Sequence, residues 1–213
     1  MINVALVDPQ QLYRSSFALI INSLEGFCVV CEAASGEALL QYIVQSGPPD
    51  VVLLNLKQNG MTGYALAAWL HGNHPRIKIL VISMYNNEVQ IARFLRTGIR
   101  AFLKMEVGRE ELQKALQQVA EDDGFYVGGN DGKMLEVLQF GNKAARDKLL
   151  LSDEEIFFIR FLFGPDSMDE IAGKMGMCRR TAYNYMEALC KKLEVKTRVG
   201  IAVWAERNGV LHW

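Results

Sequence analysis

The chain has 213 residues, of which 50% are hydrophobic and 22% are charged, and its formal net charge is −1. This length allows two small hydrophobic cores, and the near-neutral charge gives the chain no general attraction for nucleic acid. No apolar run approaches the roughly 20 residues of a membrane helix, and the N-terminus lacks the basic start of a signal peptide. We therefore expect a cytoplasmic protein of two domains without a membrane partner.

Strand and helix patterns alternate along the first 121 residues. Short apolar strand patterns cover residues 2–7, 28–31, 51–54, 77–82 and 101–103. Amphipathic helix patterns cover residues 11–24, 61–70, 88–96 and 110–121, and a further helix follows Ser35. Continuously apolar strands between such helices predict an α/β fold with a five-stranded parallel sheet, doubly wound in the flavodoxin-like manner and covered on both faces.

Polar residues stand at the carboxyl ends of four of these strands. They are Asp8, Asn55, Ser83 and the pair Lys104-Met105. Open parallel sheets bind their ligands at this edge, so we expect these side chains to form the candidate site of the first domain. Asn55 is the most informative of them, because it ends a buried apolar strand with a neutral carboxamide.

The rest of the chain differs in character from the first 121 residues. Residues 124–148 begin with several glycines and are interpreted as a linker that contains a short helix. From residue 149 onwards the apolar residues recur at helical spacing, and this part carries nine Lys or Arg against nine Asp or Glu. We therefore predict one domain at 1–123, a linker at 124–148 and an all-α domain at 149–213.

Four cysteines raise the question of a metal or redox site. Cys28 and Cys31 form a C-x-x-C within a predicted strand, where alternation is expected to point their side chains to opposite faces. Cys178 and Cys190 are separated by roughly 18 Å on a predicted helix, at about 1.5 Å per residue. We interpret all four as small buried thiols of a reducing compartment, and we predict neither a metal site nor a cofactor.

Residues 1–121 resemble the receiver domain of the NarL/FixJ type of response regulator. The resemblance is carried by residues 4–8, 49–54, 60–63 (Gly-Met-Thr-Gly), 81–84 and 98–103. Such a receiver has an acidic pair, a phosphoacceptor Asp, a Ser or Thr, and a Lys. Matched position by position, this chain keeps the first acid as Asp8 and the hydroxyl as Ser83. It has Pro9 in place of the second acid, Asn55 in place of the acceptor Asp, and Met105 in place of the Lys.

The resemblance implies that these three substitutions disable phosphotransfer. A carboxylate is the nucleophile that forms an acyl phosphate, and the carboxamide of Asn55 cannot replace it. Mg²⁺ prefers carboxylate oxygens, and Asp8 is the only carboxylate left in the matched set. Met105 removes the cation that would pair with a phosphate, and Lys104 beside it is expected to face the opposite way. We predict that this receiver has no catalytic residue and that it is not phosphorylated in this pocket.

Residues 178–193 have the pattern of an amphipathic helix. Ala182, Met186, Leu189 and Leu193 recur at helical spacing and predict a buried stripe. Residues 151–211 resemble the LuxR-type helix-turn-helix domain. The matching stretches are Leu151-Ser152-x-x-Glu155, Ile171-Ala172-x-x-Met175-Gly176-Met177 and Lys191-Lys192-Leu193.

This second resemblance implies that the helix enters the major groove of double-stranded DNA. The candidate DNA-binding residues are Arg179, Arg180, Thr181, Tyr183, Asn184, Glu187, Lys191, Lys192 and Lys196. Asn184 is the candidate for adenine readout. Glu187 either accepts a hydrogen bond from the N4 amino group of cytosine or repels a phosphate. Cys178 takes the N-cap position that usually holds a hydroxyl residue, at a cost of about 1 kcal/mol.

We interpret the chain as a sequence-specific transcription regulator that is not an enzyme and that binds DNA as a homodimer without phosphorylation. Control would come through dimerisation, a partner protein, or a small ligand in the former acid pocket. The alternative is an adaptor that does not bind DNA and uses both domains as docking surfaces. Ser83 and Phe102 are either remnants of the family's hydroxyl–aromatic switch pair or ordinary residues at strand ends.

Overall fold

A computed structural model of the protein describes residues 1–56, 61–83, 97–121, 126–127, 151–208 and 210, with only the backbone of residues 126–127. The predicted helix at 88–96 lies outside the described residues. So do Gly60 and Met84 of the receiver motifs, and all of the predicted linker except residues 126–127.

Six parallel strands form one sheet in the described part of the chain. They are β1 (Ile2–Val7), β2 (Phe27–Ala33), β3 (Val51–Asn55), β4 (Lys78–Ser83), β5 (Ile99–Lys104) and β6 (Tyr126–Val127). Their order is β2-β1-β3-β4-β5-β6, and every neighbouring pair is parallel. The five predicted strands are confirmed. The short β6 adds a sixth strand beyond residue 123, the predicted end of the first domain.

Helices cover both faces of this sheet. The described ones are α1 (Gln11–Asn22), α2 (Gly36–Ser46), α3 (Gly63–Asn73) and α4 (Arg109–Glu121). Leu6 and Leu53 pack with α1 and α4 on one face, whereas Val7 and Leu54 pack with α2 and α3 on the other. Successive strand residues therefore enter opposite apolar clusters, which is why the strands read as continuous apolar runs. The doubly wound architecture is confirmed.

Helix α3 begins close to the end of β3, where the candidate site lies. The Thr62 hydroxyl accepts a hydrogen bond from the Ala65 amide at 3.2 Å, so the helix starts at Gly63 rather than at residue 61. A Cβ at Gly63 would lie 2.8 Å from the Cα of Leu56. Glycine at this position allows the helix to approach the backbone that follows Asn55.

A β-bulge in β2 overturns one prediction about the cysteines. Cys28 is in register with Asn3 and Cys31 with Ala5, and the register shifts by one residue between them. Asn3 and Ala5 are two residues apart on β1 and share one face, so Cys28 and Cys31 share that face as well. The expectation that they point to opposite faces is therefore wrong. The expectation of four buried thiols is wrong as well, because Cys28, Cys31 and Cys190 are half-buried and Cys178 is exposed.

The C-terminal part is helical, as predicted. Its helices are α5 (Asp153–Phe163), α6 (Met168–Lys174), α7 (Arg179–Lys192) and α8 (Arg198–Arg207). Ser152 with Glu155 and Ser167 with Glu170 form capping boxes that begin α5 and α6. The turn between α6 and α7 contains Gly176 at φ 64°, a conformation that favours glycine. Among the helices that the structure describes, none is long and apolar enough to cross a membrane.

Candidate functional site

Asp8 and Asn55 meet at the carboxyl edge of the sheet, as the sequence predicts. Both are buried, with 6% and 8% of their surface exposed. The Asn55 Nδ2 donates to Asp8 Oδ2 at 2.6 Å, and the Gln10 amide donates to Asp8 Oδ1 at 2.7 Å. Each oxygen of the Asp8 carboxylate thus already accepts a hydrogen bond from a neutral donor, and neither bond needs a metal ion.

Arg14 lies beside this pair and was missed by the sequence argument. Its Nη1 donates to the backbone carbonyl of Asp8 at 2.6 Å, while its buried Nε has no acceptor among the described residues. Within the described part of the chain, Asp8, Arg14 and Asn55 line a small cleft with the apolar residues Leu6, Val7, Phe17, Leu53 and Ile82. The sequence signal for Arg14 is that it is the single charged residue of α1.

Lys104 and Met105 do not join this cleft. Lys104 is exposed, and its strand pairs in regular register with β4 from Leu80 to Ser83, so no bulge turns its side chain inward at this end. Met105 is partly buried against the apolar cluster beneath the sheet. Ser83 is 4% exposed at the end of β4, and its carbonyl accepts from the Met105 amide at 3.0 Å. Pro9 is partly buried after β1.

The cleft is also small. The described residues leave a cavity of about 10 Å³, which is room for about one water. It contains one carboxylate, one carboxamide and one guanidinium. This set of groups can hold Asp8 in a fixed position, but it offers neither a nucleophile nor a second acidic ligand for Mg²⁺.

Helix α7 has the two faces that the sequence predicts. Ala182, Leu189 and Leu193 are buried, and Met186 packs partly buried in the same cluster. The exposed candidates for DNA contact are Arg179, Arg180, Thr181, Tyr183, Asn184, Glu187, Lys191 and Lys196. The Arg179 guanidinium lies 5.7 Å from the centre of the Tyr183 ring and 3.3 Å from Asp169. Tyr183 and Arg179 therefore form one amphipathic surface near the start of the helix.

Lys192 does not belong to that exposed face. Its Nζ donates to both carboxylate oxygens of Glu155 at 2.8 and 2.7 Å, and its side chain is 23% exposed. It is turned toward α5 because it lies about 100° around the helix from Lys191. The structure therefore gives Lys192 the role of joining α7 to α5, and we remove it from the candidate phosphate contacts.

Cys178 takes the N-cap position of α7, as expected, without a capping hydrogen bond from its side chain. Its sulfur lies 3.1 Å from the Thr181 hydroxyl. Hydrogen bonding by the Thr181 hydroxyl lowers the pKa of this exposed thiol. The first turn of the exposed face thus carries a thiol more acidic than an ordinary cysteine.

Arg198 braces the loop that precedes α6. Its guanidinium donates to the carbonyl oxygens of Leu162, Gly164 and Asp166 at 2.8, 3.1 and 2.9 Å. The Leu162 carbonyl belongs to the last turn of α5, which leaves acceptors without partners within the helix, and the Gly164 and Asp166 carbonyls follow it. Arg198 thereby fixes α8 against the other helices and holds the position of the helix-turn-helix.

The fold and these sites define a class of protein: a receiver-like α/β domain followed by an all-α helix-turn-helix domain. The model of the response regulator receiver domain matches residues 4–117, more than half of the chain. The chain therefore belongs to the response regulators.

Similar proteins extend over the whole chain. The response regulator GacA of Pseudomonas viridiflava is 26% identical over 212 residues, which cover 99% of this chain and 98% of GacA. The nitrate/nitrite response regulator NarL of Escherichia coli K12 is 25% identical over 97% of this chain and 96% of NarL. RcsB of Salmonella enterica serovar Typhimurium, solved bound to the rprA promoter, has a TM-score of 0.68 at 20% identity, covering 96% of this chain and 98% of RcsB.

Proposed function

We propose that this protein is a sequence-specific, DNA-binding transcription regulator whose receiver domain acts without phosphorylation. The observation that carries the first half is the division of α7 into a buried apolar face and an exposed face. Asn184 and Lys191 stand on that exposed face. No described residue covers the face, and a helix of this kind enters a major groove. RcsB, which shares the fold, has been solved on promoter DNA.

The second half rests on the cleft at the edge of the sheet. Asn55 donates to Asp8 at 2.6 Å, in the position where the family places an acceptor carboxylate. A carboxamide cannot attack phosphorus, and the acceptor oxygens of Asp8 are occupied by neutral donors. Asp8 and Asn55 therefore stabilise the end of the sheet, and no covalent step takes place there.

The regulator is proposed to bind DNA as a homodimer, because two recognition helices read two symmetric half-sites about one helical turn apart. RcsB dimers have been solved on DNA. Dimerisation or a partner protein is the favoured source of control. As lined by the described residues, the cleft has room for about one water, which is too little for an effector of ordinary ligand size. We place the protein in the cytoplasm and assign it no enzymatic activity.

Selection of binding sites from random double-stranded DNA tests this proposal. The full chain is expected to enrich a symmetric motif, and Asn184→Ala is expected to relax the preference at one position of each half-site, at a cost of about 1–3 kcal/mol. Lys191→Ala is expected to weaken all sequences alike and to reduce the salt slope by about one. Lys114→Ala, on the exposed face of α4, is the matched control and is expected to change neither.

The competing function is the adaptor that does not bind DNA. One observation favours it: Glu187 stands exposed on the same face of α7 as the candidate contacts and would repel phosphate. Failure to enrich any motif, with weak binding that does not depend on Asn184, would support the adaptor. Enrichment of a motif that Asn184→Ala alters would rule it out.

A further inference from the structure

Two cysteines lie side by side on one edge of the sheet, outside the Asp8 cleft. β2 is the edge strand, and the bulge between Cys28 and Cys31 places both side chains on the face that α2 covers. Their partners on β1 are two residues apart. The two cysteines are therefore separated by two steps of the ladder, about 6.6 Å at about 3.3 Å per residue.

Both thiols are free and half-buried. Cys31 packs against the apolar cluster beneath α2, and the Cys28 sulfur lies 3.9 Å from the Val29 carbonyl. The sequence alone predicts the opposite arrangement, because alternation without a bulge would put positions 28 and 31 on different faces. The convergence of the two thiols is thus a product of this backbone.

The spacing discriminates between two kinds of thiol chemistry. A disulfide needs Cα atoms about 4.4–6.8 Å apart and Cβ atoms about 3.8 Å apart. Two ladder steps put the Cα atoms at the upper end of that range, and near-parallel Cα–Cβ bonds on one face leave the Cβ atoms about as far apart as the Cα atoms. Closing the bond would therefore require the strand to move. A metal ion bound in line between two thiolates holds the two sulfurs farther apart than the directly bonded sulfurs of a disulfide. With metal–sulfur bonds of about 2.3 Å the two sulfurs are about 4.6 Å apart, a gap that side chains on one face can span.

We propose that Cys28 and Cys31 form a two-coordinate site for a soft monovalent d¹⁰ metal ion, with Cu(I) as the representative. Thiolates are the ligands that Cu(I) prefers. The described residues contain no cluster of three or more His, Cys, Asp or Glu that could hold a metal. An ion that needs four protein ligands, such as structural Zn²⁺, therefore has no place here. This site is independent of the proposed DNA binding.

Binding exchanges protons for the ion. One monovalent ion and two thiols give a bis-thiolate complex of charge −1 and two released protons, without oxidation or reduction.

The test uses the full chain with Cys178→Ser and Cys190→Ser, so that the two thiols of β2 are the only cysteines. Cu(I) is titrated without oxygen against bicinchoninate, a coloured Cu(I) chelator. We expect one Cu(I) per chain and a loss of at least 100-fold in affinity when either Cys28→Ser or Cys31→Ser is added, because the loss of an outer-shell partner alone already costs about 10–100-fold. X-ray absorption is expected to show two sulfur neighbours.

Three results would overturn this assignment. They are the absence of Cu(I) binding in the chain that retains both thiols, undiminished binding in either single Ser variant, and a metal with more than two sulfur neighbours. Circular dichroism checks the fold of each variant, and Cys→Ala at the same position replaces a Ser variant that unfolds. Treatment of the metal-free protein with oxidised glutathione is expected to give no Cys28–Cys31 disulfide, and formation of that bond would contradict the spacing.

Discussion

The substitution Asn55→Asp is the sharpest perturbation of the cleft, because it removes a donor and adds a charge beside Asp8. The hydrogen bond it removes is 2.6 Å long and buried, and a hydrogen bond to a charged group contributes about 1.5–3 kcal/mol. Two carboxylates held at about 4 Å repel each other by about 4 kcal/mol at an effective dielectric constant of about 20. The introduced carboxyl avoids this repulsion by staying protonated.

Protonation of the introduced carboxyl sets the upper limit of the loss in unfolding free energy. Holding a proton at pH 7 on a group with an unfolded pKa of about 3.9 costs about 4 kcal/mol, at about 1.36 kcal/mol per pH unit. The folded-state pKa of the introduced carboxyl is raised, so the folded protein binds more protons than the unfolded chain, and stability falls as pH rises. We expect a loss of about 2–4 kcal/mol at pH 7. The part caused by charge vanishes near pH 4.

Urea unfolding followed by Trp69 fluorescence measures this loss. Trp69 lies on α3, and Trp204→Phe with Trp213→Phe leaves it as the only tryptophan of the three. The matched control is Asn55→Ala, which removes the donor without adding charge and is expected to cost about 1–3 kcal/mol with little dependence on pH between about 5 and 8. If Asn55→Asp is as stable as the parent at pH 7 without divalent ions, the role assigned to the Asn55–Asp8 bond is wrong.

Three further outcomes are expected in the helical domain. Lys192→Met breaks the half-buried pair with Glu155 and is expected to cost about 1–2 kcal/mol of unfolding free energy, and a double-mutant cycle with Glu155→Gln measures the coupling. Arg198→Lys loses most of three hydrogen bonds to carbonyls, and we expect a loss of about 2 kcal/mol in thermal or urea unfolding. The lowered pKa of Cys178 raises its thiolate fraction at neutral pH, so iodoacetamide is expected to react faster with it than with an ordinary cysteine. Thr181→Val is expected to slow that reaction toward the rate of a free thiol and to shift its pH profile upward.

The sequence predicted the parts of the molecule that depend on periodicity. Apolar runs bounded by polar residues located the strands, and the rule for parallel sheets placed Asp8 and Asn55 at one edge, where they form a hydrogen bond. Helical spacing also separated the buried face of α7, with Ala182 and Leu189, from its exposed face. These features follow from where side chains point along an ideal strand or helix.

The parts that escaped prediction depend on departures from ideal geometry or on long side chains. The bulge that aligns Cys28 with Cys31 involves no glycine or proline and leaves no mark in the sequence. Arg14 reaches back to the Asp8 carbonyl, and Lys192 reaches across to α5, because their flexible side chains find acceptors that tertiary packing supplies. Neighbouring lysines look alike in sequence, yet 191 and 192 face different surroundings.

Treatment of the full chain with acetyl phosphate and Mg²⁺ tests the central claim most directly. Intact mass and the affinity for the selected DNA are measured before and after treatment, and a conventional response regulator treated in parallel shows that the reagent is active. We predict no added phosphate and an affinity unchanged within about twofold, less than about 0.5 kcal/mol. A stable gain of one phosphate that maps to the Asp8 cleft and shifts DNA binding would contradict the account.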